Sequence, residues 1–410
     1  MSAQISQEMQ ASGIARVIVI LKKTAAEKDV TDIRSNLEKH FVSSQLSQTA
    51  ALMTSSSYKG VSTPPVVRFY PNLGIMLGTV DSHGLSALRT HKDVVADISG
   101  APPISLIRPT QTAMAKLTQK ISWGITALEV PALWKQGYTG KGVLIGHLDT
   151  GVDGNHPTLK EAISDFAEFD GMGREVQPSP KPYDSDEHGT HTAAIIAGRS
   201  IRGKAIGVAP GALLASAIVI EGGEVVARVL GGMDWAVGKG VRILNMSLGF
   251  RGWWQDFLPL TRLLRQRNIL PVYAVGNEGP GTSRSPGNYW QALSVGAIDK
   301  HNKVADFSSS QRFKRKKDPI APDLVAPGVD IISARPKNRY QLMSGTSMAA
   351  PHISGLAALL WEANPNATVN QIERAIFESC RIEKGMDIER AGRGIPNAPR
   401  ALAALLKSSA

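Results

Sequence analysis

From residue 121 onward the chain alternates two textures that cannot be exchanged. Short apolar runs carry no polar alternation: "GVLIGHLD" (142–149), "ALLASAIVI" (212–220), "VRILNMSLG" (241–249), "ILPVYAVG" (269–276) and "ALSVGAI" (292–298). Stretches with helical spacing lie between and after them: "HGTHTAAIIAG" (188–198), "GEVVARVLGGMDWAVGKG" (223–240), "QDFLPLTRLLRQRN" (255–268), "SMAAPHISGLAALLWEAN" (347–364) and "TVNQIERAIFESC" (368–380). A strand with no polar face must be covered on both sides. The pattern therefore predicts an α/β domain over 121–410 with a doubly wound, mostly parallel sheet. Sites on such sheets lie at the carboxyl ends of strands and at the helix starts that face them.

The preceding part has a different order. "ARVIVILKK", "DVTDIRSNLEKHFVSSQLSQTAALM", "VVRFYP", "LGIMLGTVD", "SHGLSALRTHKD" and "VVADISG" read as β-α-β-β-α-β. That is the split pattern of a small ferredoxin-like α+β domain, placed at 15–100. Residues 1–14 are polar and read as a frayed, disordered tail. Residues 101–120 begin "APPISLIRPTQTAMAKLTQ" and, with three prolines and several turn residues, read as a linker.

Composition narrows the class. The chain has 410 residues, of which 42% are apolar and 20% charged, enough for a large core in a globular protein. One cysteine, Cys380, excludes an intrachain disulfide and reads as a small packed side chain. No apolar run reaches the length of a membrane span, and the N-terminus lacks a charged-then-apolar leader. A cytoplasmic, membrane-free monomer is expected. The net charge of +11 is partly gathered in "QRFKRKKDP", where Arg312, Lys314, Arg315, Lys316 and Lys317 read as a solvated loop.

Three polar residues fall at the predicted strand ends and helix starts. Asp149 closes "HLDTGVD", His188 opens "HGTHTAAIIAG" and Ser347 opens "SMAAPHISG". Singly each is ordinary: a turn former, a structural imidazole, an N-cap. Together they supply what makes a serine nucleophilic. An imidazole takes the hydroxyl proton, and a carboxylate fixes the imidazole tautomer and stabilises the cation that forms.

The order Asp, His, Ser and the small-residue motifs around each resemble the subtilases, the subtilisin-like serine proteases. Asp149-Thr150-Gly151 matches D-[ST]-G, His188-Gly189-Thr190-His191 matches H-G-T-H, and Gly345-Thr346-Ser347-Met348-Ala349 matches G-T-S-M-A. The resemblance runs from about Trp123 to Leu405. It implies a serine endopeptidase that acts on polypeptides through an acyl-enzyme and needs no cofactor. It also implies that Asn277, in "AVGNEG", is the oxyanion donor. Ser247, Leu248 and Gly249 would form the strand along which substrate pairs. Gly276, Phe250 and Arg284 would border the specificity pocket, where Phe250 and Arg284 replace glycines and would narrow it or favour acidic side chains.

Two further expectations rest on the same resemblance. The family's strongest calcium site uses an Asp after "HP"; here Thr158 stands there, and "GRSIRGKAIG" places Arg199, Arg202 and Lys204 in the adjoining loop. No calcium is expected at that site, since hard cations want several oxygen ligands, and no metal ligand is assigned elsewhere. His191 and His188 have zinc-like spacing, which the triad and family packing absorb. The N-terminal domain resembles the subtilase propeptide, which implies a zymogen whose own prodomain is an intramolecular inhibitor, cut within 100–120 near Leu117/Thr118. Two other readings stay open: a protease-like binding protein permanently covered by residues 1–117, and accessory polyanion binding through 312–317. Nucleic acid is otherwise not an expected partner.

Overall fold

A computed structural model describes residues 3–22, 30–42, 67–220 and 225–407. Seven strands form a wholly parallel sheet, in the order Leu324–Pro327, Leu293–Ile298, Leu270–Ala274, Ile243–Met246, Leu144–Asp149, Leu213–Ile218, Ile163–Glu168. The chain enters at Leu144–Asp149, builds one edge, then crosses to build the other. Alternate residues of each strand face opposite layers. Ile243 joins the core formed with helices His188–Ala197 and Thr346–Ala363. Leu244 and Met246 join the core formed with helices Val225–Gly238 and Leu258–Gln266. The continuous apolar runs are thus the centre of a three-layer α/β domain.

"VRILNMSLG" is not one strand. The chain leaves the parallel sheet after Met246, and Leu248–Arg251 joins a separate three-stranded sheet with Arg284–Ser285 and Ser105–Leu106. This exit at Ser247 carries an edge strand across the carboxyl end of the main sheet.

The N-terminal region forms a four-stranded antiparallel sheet in the order Val67–Tyr70, Ile75–Asp81, Ile14–Leu21, Val95–Gly100. The predicted helix over 29–53 is seen as Val30–Glu38; its continuation beyond 42 lies outside the described residues. Residues 3–14 are not a frayed tail. Ala3–Ser12 is a helix, ended by Gly13 in the left-handed region (φ +74°). Ile5 is fully buried among Val17, Val19 and Leu88, and Glu8 Oε2 accepts from the Arg16 backbone N–H at 2.8 Å. Two apolar residues four apart, Ile5 and Met9, anchor a segment whose composition is otherwise polar.

This sheet docks on the two surface helices of the larger domain. Asp234 accepts from the Leu73 N–H (2.7 Å) and from Asn72 Nδ2 (3.2 Å), and Asp256 accepts from the Gly100 N–H (2.6 Å). Ile18, Ile20, Tyr70 and Leu73 share one apolar cluster with Val226, Leu230 and Met233.

Nor do residues 101–120 form a free linker. Ser105–Leu106 pairs antiparallel with Leu248–Arg251, and Gln111–Ala115 pairs antiparallel with Arg339–Ser344. Between these two anchors the chain crosses the carboxyl end of the main sheet.

Candidate active site

Asp149 ends strand Leu144–Asp149 and His188 begins the helix that faces it. His188 Nδ1 lies 2.7 Å from Asp149 Oδ1, and both side chains are buried. The Thr150 N–H also donates to Asp149 Oδ1 (2.8 Å). Burial opposes charge on both groups, but each is the other's strongest opposing influence. The net shift holds Asp149 below the ordinary carboxylate range and His188 above the ordinary imidazole range. Ser347 is the second residue of helix Thr346–Ala363, which packs against the His188 helix. His188 Nε2 is buried with no hydrogen-bond partner among the described residues.

The Ser347 hydroxyl has a different partner. It donates to the Ile107 carbonyl at 2.6 Å. The Ile107 N–H donates to the Ser247 carbonyl (3.0 Å), and Leu106 and Ser105 pair with Leu248 and Gly249. The chain's own segment therefore lies along the edge strand as an added strand, the mode in which extended peptides bind. Asn277 Nδ2 donates to the next carbonyl, that of Arg108, at 2.8 Å. Beyond Pro109 the Thr110 N–H donates to the Ser344 carbonyl (2.8 Å), and pairing resumes. A peptide is clamped on both sides of a serine, with one carbonyl on the hydroxyl and the next on the amide.

This geometry and its sequence motifs agree with the comparisons to known proteins. A sequence model described as "Subtilase family" matches residues 140–396. The chain belongs to the subtilase family. Subtilisin Savinase of Lederbergia lenta is 36% identical over 256 residues, 62% of this chain and 89% of that protein. M-protease of Shouchella clausii (strain KSM-K16) is 35% identical over 273 residues, 66% of this chain and 67% of that protein. Subtilisin E of Bacillus subtilis (strain 168) is 30% identical over 349 residues, 83% of this chain and 84% of that protein. The last alignment is longer than the chain from Ile121 onward, so it reaches into the N-terminal domain. This subtilase is a serine endopeptidase, a hydrolase that acts on polypeptides.

Several residues that orient the site were given no role by the sequence motifs. Thr346 fixes the orientation of Asn277: its N–H and its Oγ1 both donate to Asn277 Oδ1 at 2.9 Å, which turns Nδ2 toward the cleft. Asp149 Oδ2 accepts from the Thr192 hydroxyl at 3.3 Å. Thr192 Oγ1 in turn lies 2.8 Å from His147 Nε2, and His147 Nδ1 lies 2.9 Å from Ser216 Oγ. Burial, outweighing the Asp149 charge, pushes His147 down to about 4, so it is neutral. Whichever of Asp149 Oδ2 and the Gly189 and His188 carbonyls (3.1 and 3.2 Å) takes the Thr192 proton, His147 donates through Nε2 and accepts through Nδ1. Two residues before Asp149 on the same strand face, it stays hidden in an apolar run.

A pH profile follows from these shifts. A histidine that serves as a base does so in its neutral form, and the titration of His188 is displaced upward. kcat/KM should fall as pH drops through a value above that of an ordinary histidine. His147→Val removes the Nε2 donor to Thr192 Oγ1, lets that hydroxyl turn to the Gly189 and His188 carbonyls, and so loosens the donor to Asp149 Oδ2. Asp149 then bears harder on His188, so the acid limb moves to higher pH and kcat falls by about three- to tenfold. A pH–rate profile of both proteins checks this; an unchanged limb with a lower melting temperature would mean that His147 only packs.

Phe250 does not border the pocket. It is buried against Trp254 and Phe257, with centroids 6.2 and 5.5 Å away, because residue alternation along the edge strand turns it into the second core. Arg284 does stand beside Gly276, where its Cγ would lie 3.1 Å from an added Cβ. Leu117 and Thr118 are not at Ser347. The Leu117 carbonyl accepts from Lys204 Nζ, and the strand pairing of 111–115 draws that stretch away from the nucleophile.

Thr158 donates to the Arg199 carbonyl (2.5 Å), and the Arg199 guanidinium donates to the carbonyls of Ala197, Ala212 and Glu161 at 2.8–2.9 Å. A fixed cation thus occupies this loop. Among the described residues no group of three or more His, Cys, Asp or Glu could hold a metal ion, and no helix is long and apolar enough to cross a membrane. His191 is buried, with Nε2 on the Ile331 carbonyl at 3.0 Å, and burial lowers it to about 3. Burial also pushes the Cys380 thiol up to about 12. In the basic cluster Arg312 pairs with Glu389, and Arg315 lies over the rings of Phe313, Trp253 and Trp290. Lys314, Lys316 and Lys317 are exposed.

Proposed function

We propose that this subtilase hydrolyses peptide bonds through an acyl-enzyme formed on Ser347, and that it is made as a zymogen which cuts itself. The observation that carries this is the pair of contacts at one peptide: the Ser347 hydroxyl on the Ile107 carbonyl and the Asn277 amide on the Arg108 carbonyl. Ser347 Oγ attacks the carbonyl carbon while His188 Nε2 takes its proton. Asp149 holds the imidazole and stabilises its charged form. The oxyanion is met by Asn277 Nδ2 and by the Ser347 N–H at the start of an 18-residue helix. The C–N bond breaks as His188 returns the proton to the leaving amine. Water then attacks the ester, passes a proton to His188, and releases the acid and Ser347.

In the zymogen the two contacts are out of step by one residue. The carbonyl facing Ser347 is Ile107's, but the oxyanion donor holds Arg108's. Attack on Ile107 would lack half its stabilisation, and the serine proton points to the linker rather than to His188. Pro109 fixes its own φ and confines Arg108 to extended backbone, which keeps the Arg108 carbonyl on Asn277. Because the serine hydroxyl faces the Ile107 carbonyl, self-cleavage is expected at Ile107–Arg108, and it is slow because Asn277 must first release the Arg108 carbonyl. Pro109→Ala frees that turn and should raise the rate of self-cleavage about tenfold, read by gel densitometry and N-terminal sequencing. An unchanged rate would remove Pro109 from the account.

The second reading, a permanently covered protease-like protein, draws on the same burial of Ser347. The two separate on one result: purified wild type processes itself and Ser347→Ala does not, or neither does. The calcium loop is read as serving stability through Arg199 instead of a metal, and the exposed lysines at 314, 316 and 317 as at most an accessory polyanion contact.

A further inference from the structure

Arg284 is almost fully buried, yet it reaches the segment lying in the cleft. Its Nε and Nη2 donate to Glu278 Oε1, at 2.8 Å for Nε. Its Nη1 donates to Ser105 Oγ at 3.0 Å and lies 3.5 Å from the Gly249 carbonyl. Ser105 is two residues before Ile107, the residue whose carbonyl faces Ser347. The Arg284 side chain runs from the backbone of Gly276, against which its Cγ packs, to the backbone of Gly249. It bridges the two walls of the slot that receives the attacked residue, and its tip emerges at the side chain two positions earlier.

The charges around it do not balance. Glu278 is shared by Arg284 and by Arg251, whose Nε lies 3.7 Å from the same carboxylate and whose side chain is 77% exposed. Two guanidinium groups share one carboxylate, so Glu278 neutralises only part of their charge, and the edge of Arg284 turned away from Glu278 is the one that meets the Ser105 hydroxyl. In this chain a neutral hydroxyl takes that place, accepting from Arg284 and donating to the Gly249 carbonyl at 3.3 Å.

From this we propose that Arg284 is a specificity-determining residue: it selects substrates with an acidic side chain two residues before the attacked one. This rests on the endopeptidase reading above. A carboxylate there completes a Glu–Arg–carboxylate arrangement with charge-assisted hydrogen bonds, whereas a lysine there meets uncompensated positive charge. The chain's own Ser105 is then a weaker occupant than a good substrate, which suits a segment that must leave.

Two arms test this with the full-length protein. In the first, the self-processed preparation is given matched hexapeptides that carry Ile at the attacked position and Glu, Ser or Lys two residues before it. Wild type should prefer Glu over Lys by about tenfold in kcat/KM, and R284Q should show no preference. A preference that persists in R284Q, or none in wild type, overturns the proposal. In the second arm catalysis is not needed. S347A chains carrying S105E or S105K are compared by hydrogen exchange of the Ile107 amide, which is bonded to Ser247. Exchange should be about tenfold slower with S105E, and R284Q should erase the difference. Equal exchange with Arg284 in place contradicts the proposal. If no peptide is cut, the endopeptidase reading fails, and the exchange arm still decides what Arg284 reads.

Discussion

Ser347→Ala stops peptide hydrolysis and self-cleavage together. The expected loss in turnover is about a millionfold, a size taken from the subtilisin measurements that serve as the reference case for this chemistry. The substitution removes one oxygen, whose hydrogen bond in the resting protein goes to the Ile107 carbonyl. Losing that bond costs about 1 kcal/mol of linker attachment and leaves the helix and its packing intact. The variant should therefore fold, keep its N-terminal domain, and run as a single uncut chain. Residual hydrolysis within a factor of ten of wild type would place the nucleophile elsewhere.

Asn277→Leu should lower kcat by about 10²–10³, again scaled from the oxyanion asparagine of subtilisin. The amide is held by two donors from Thr346 and has no slack to be replaced by a neighbour. Leucine keeps the volume but leaves the Thr346 N–H without its acceptor, so a small loss of stability accompanies the kinetic one. The same substitution removes the donor that holds the Arg108 carbonyl in the zymogen. A separable pattern results: hydrogen exchange of the linker rises while turnover of peptides falls. Loss of stability with unchanged kcat would make Asn277 a structural turn residue.

How much of this was legible in the sequence depends on the range of the interaction. The parallel sheet was readable because strands such as "GVLIGHLD" have no polar face, a local property. The placing of Asp149, His188, Ser347 and Asn277 at strand ends and helix starts was readable because each sits in a short motif. Phe250 was not, because the direction of its side chain depends on where the edge strand leaves the sheet after Met246. The helix Ala3–Ser12 was missed because two apolar residues, Ile5 and Met9, do the anchoring in a polar segment. His147 and Thr192 carry no local signal in their strand and helix runs; their link to Asp149 exists only once strand and helix are brought together. The linker was misread most, since its strands at 105–106 and 111–115 form against partners more than a hundred residues away.

The most direct test of the central claim is to incubate the full chain with a fluorophosphonate probe, then map the adduct by mass spectrometry and sequence the N-terminus. The account predicts an adduct on Ser347 in chains that now begin at Arg108, slower labelling of uncut chains whose Ile107 carbonyl still covers the hydroxyl, and no adduct in Ser347→Ala. An unlabelled protein, cut or uncut, or an adduct on another serine, would contradict it.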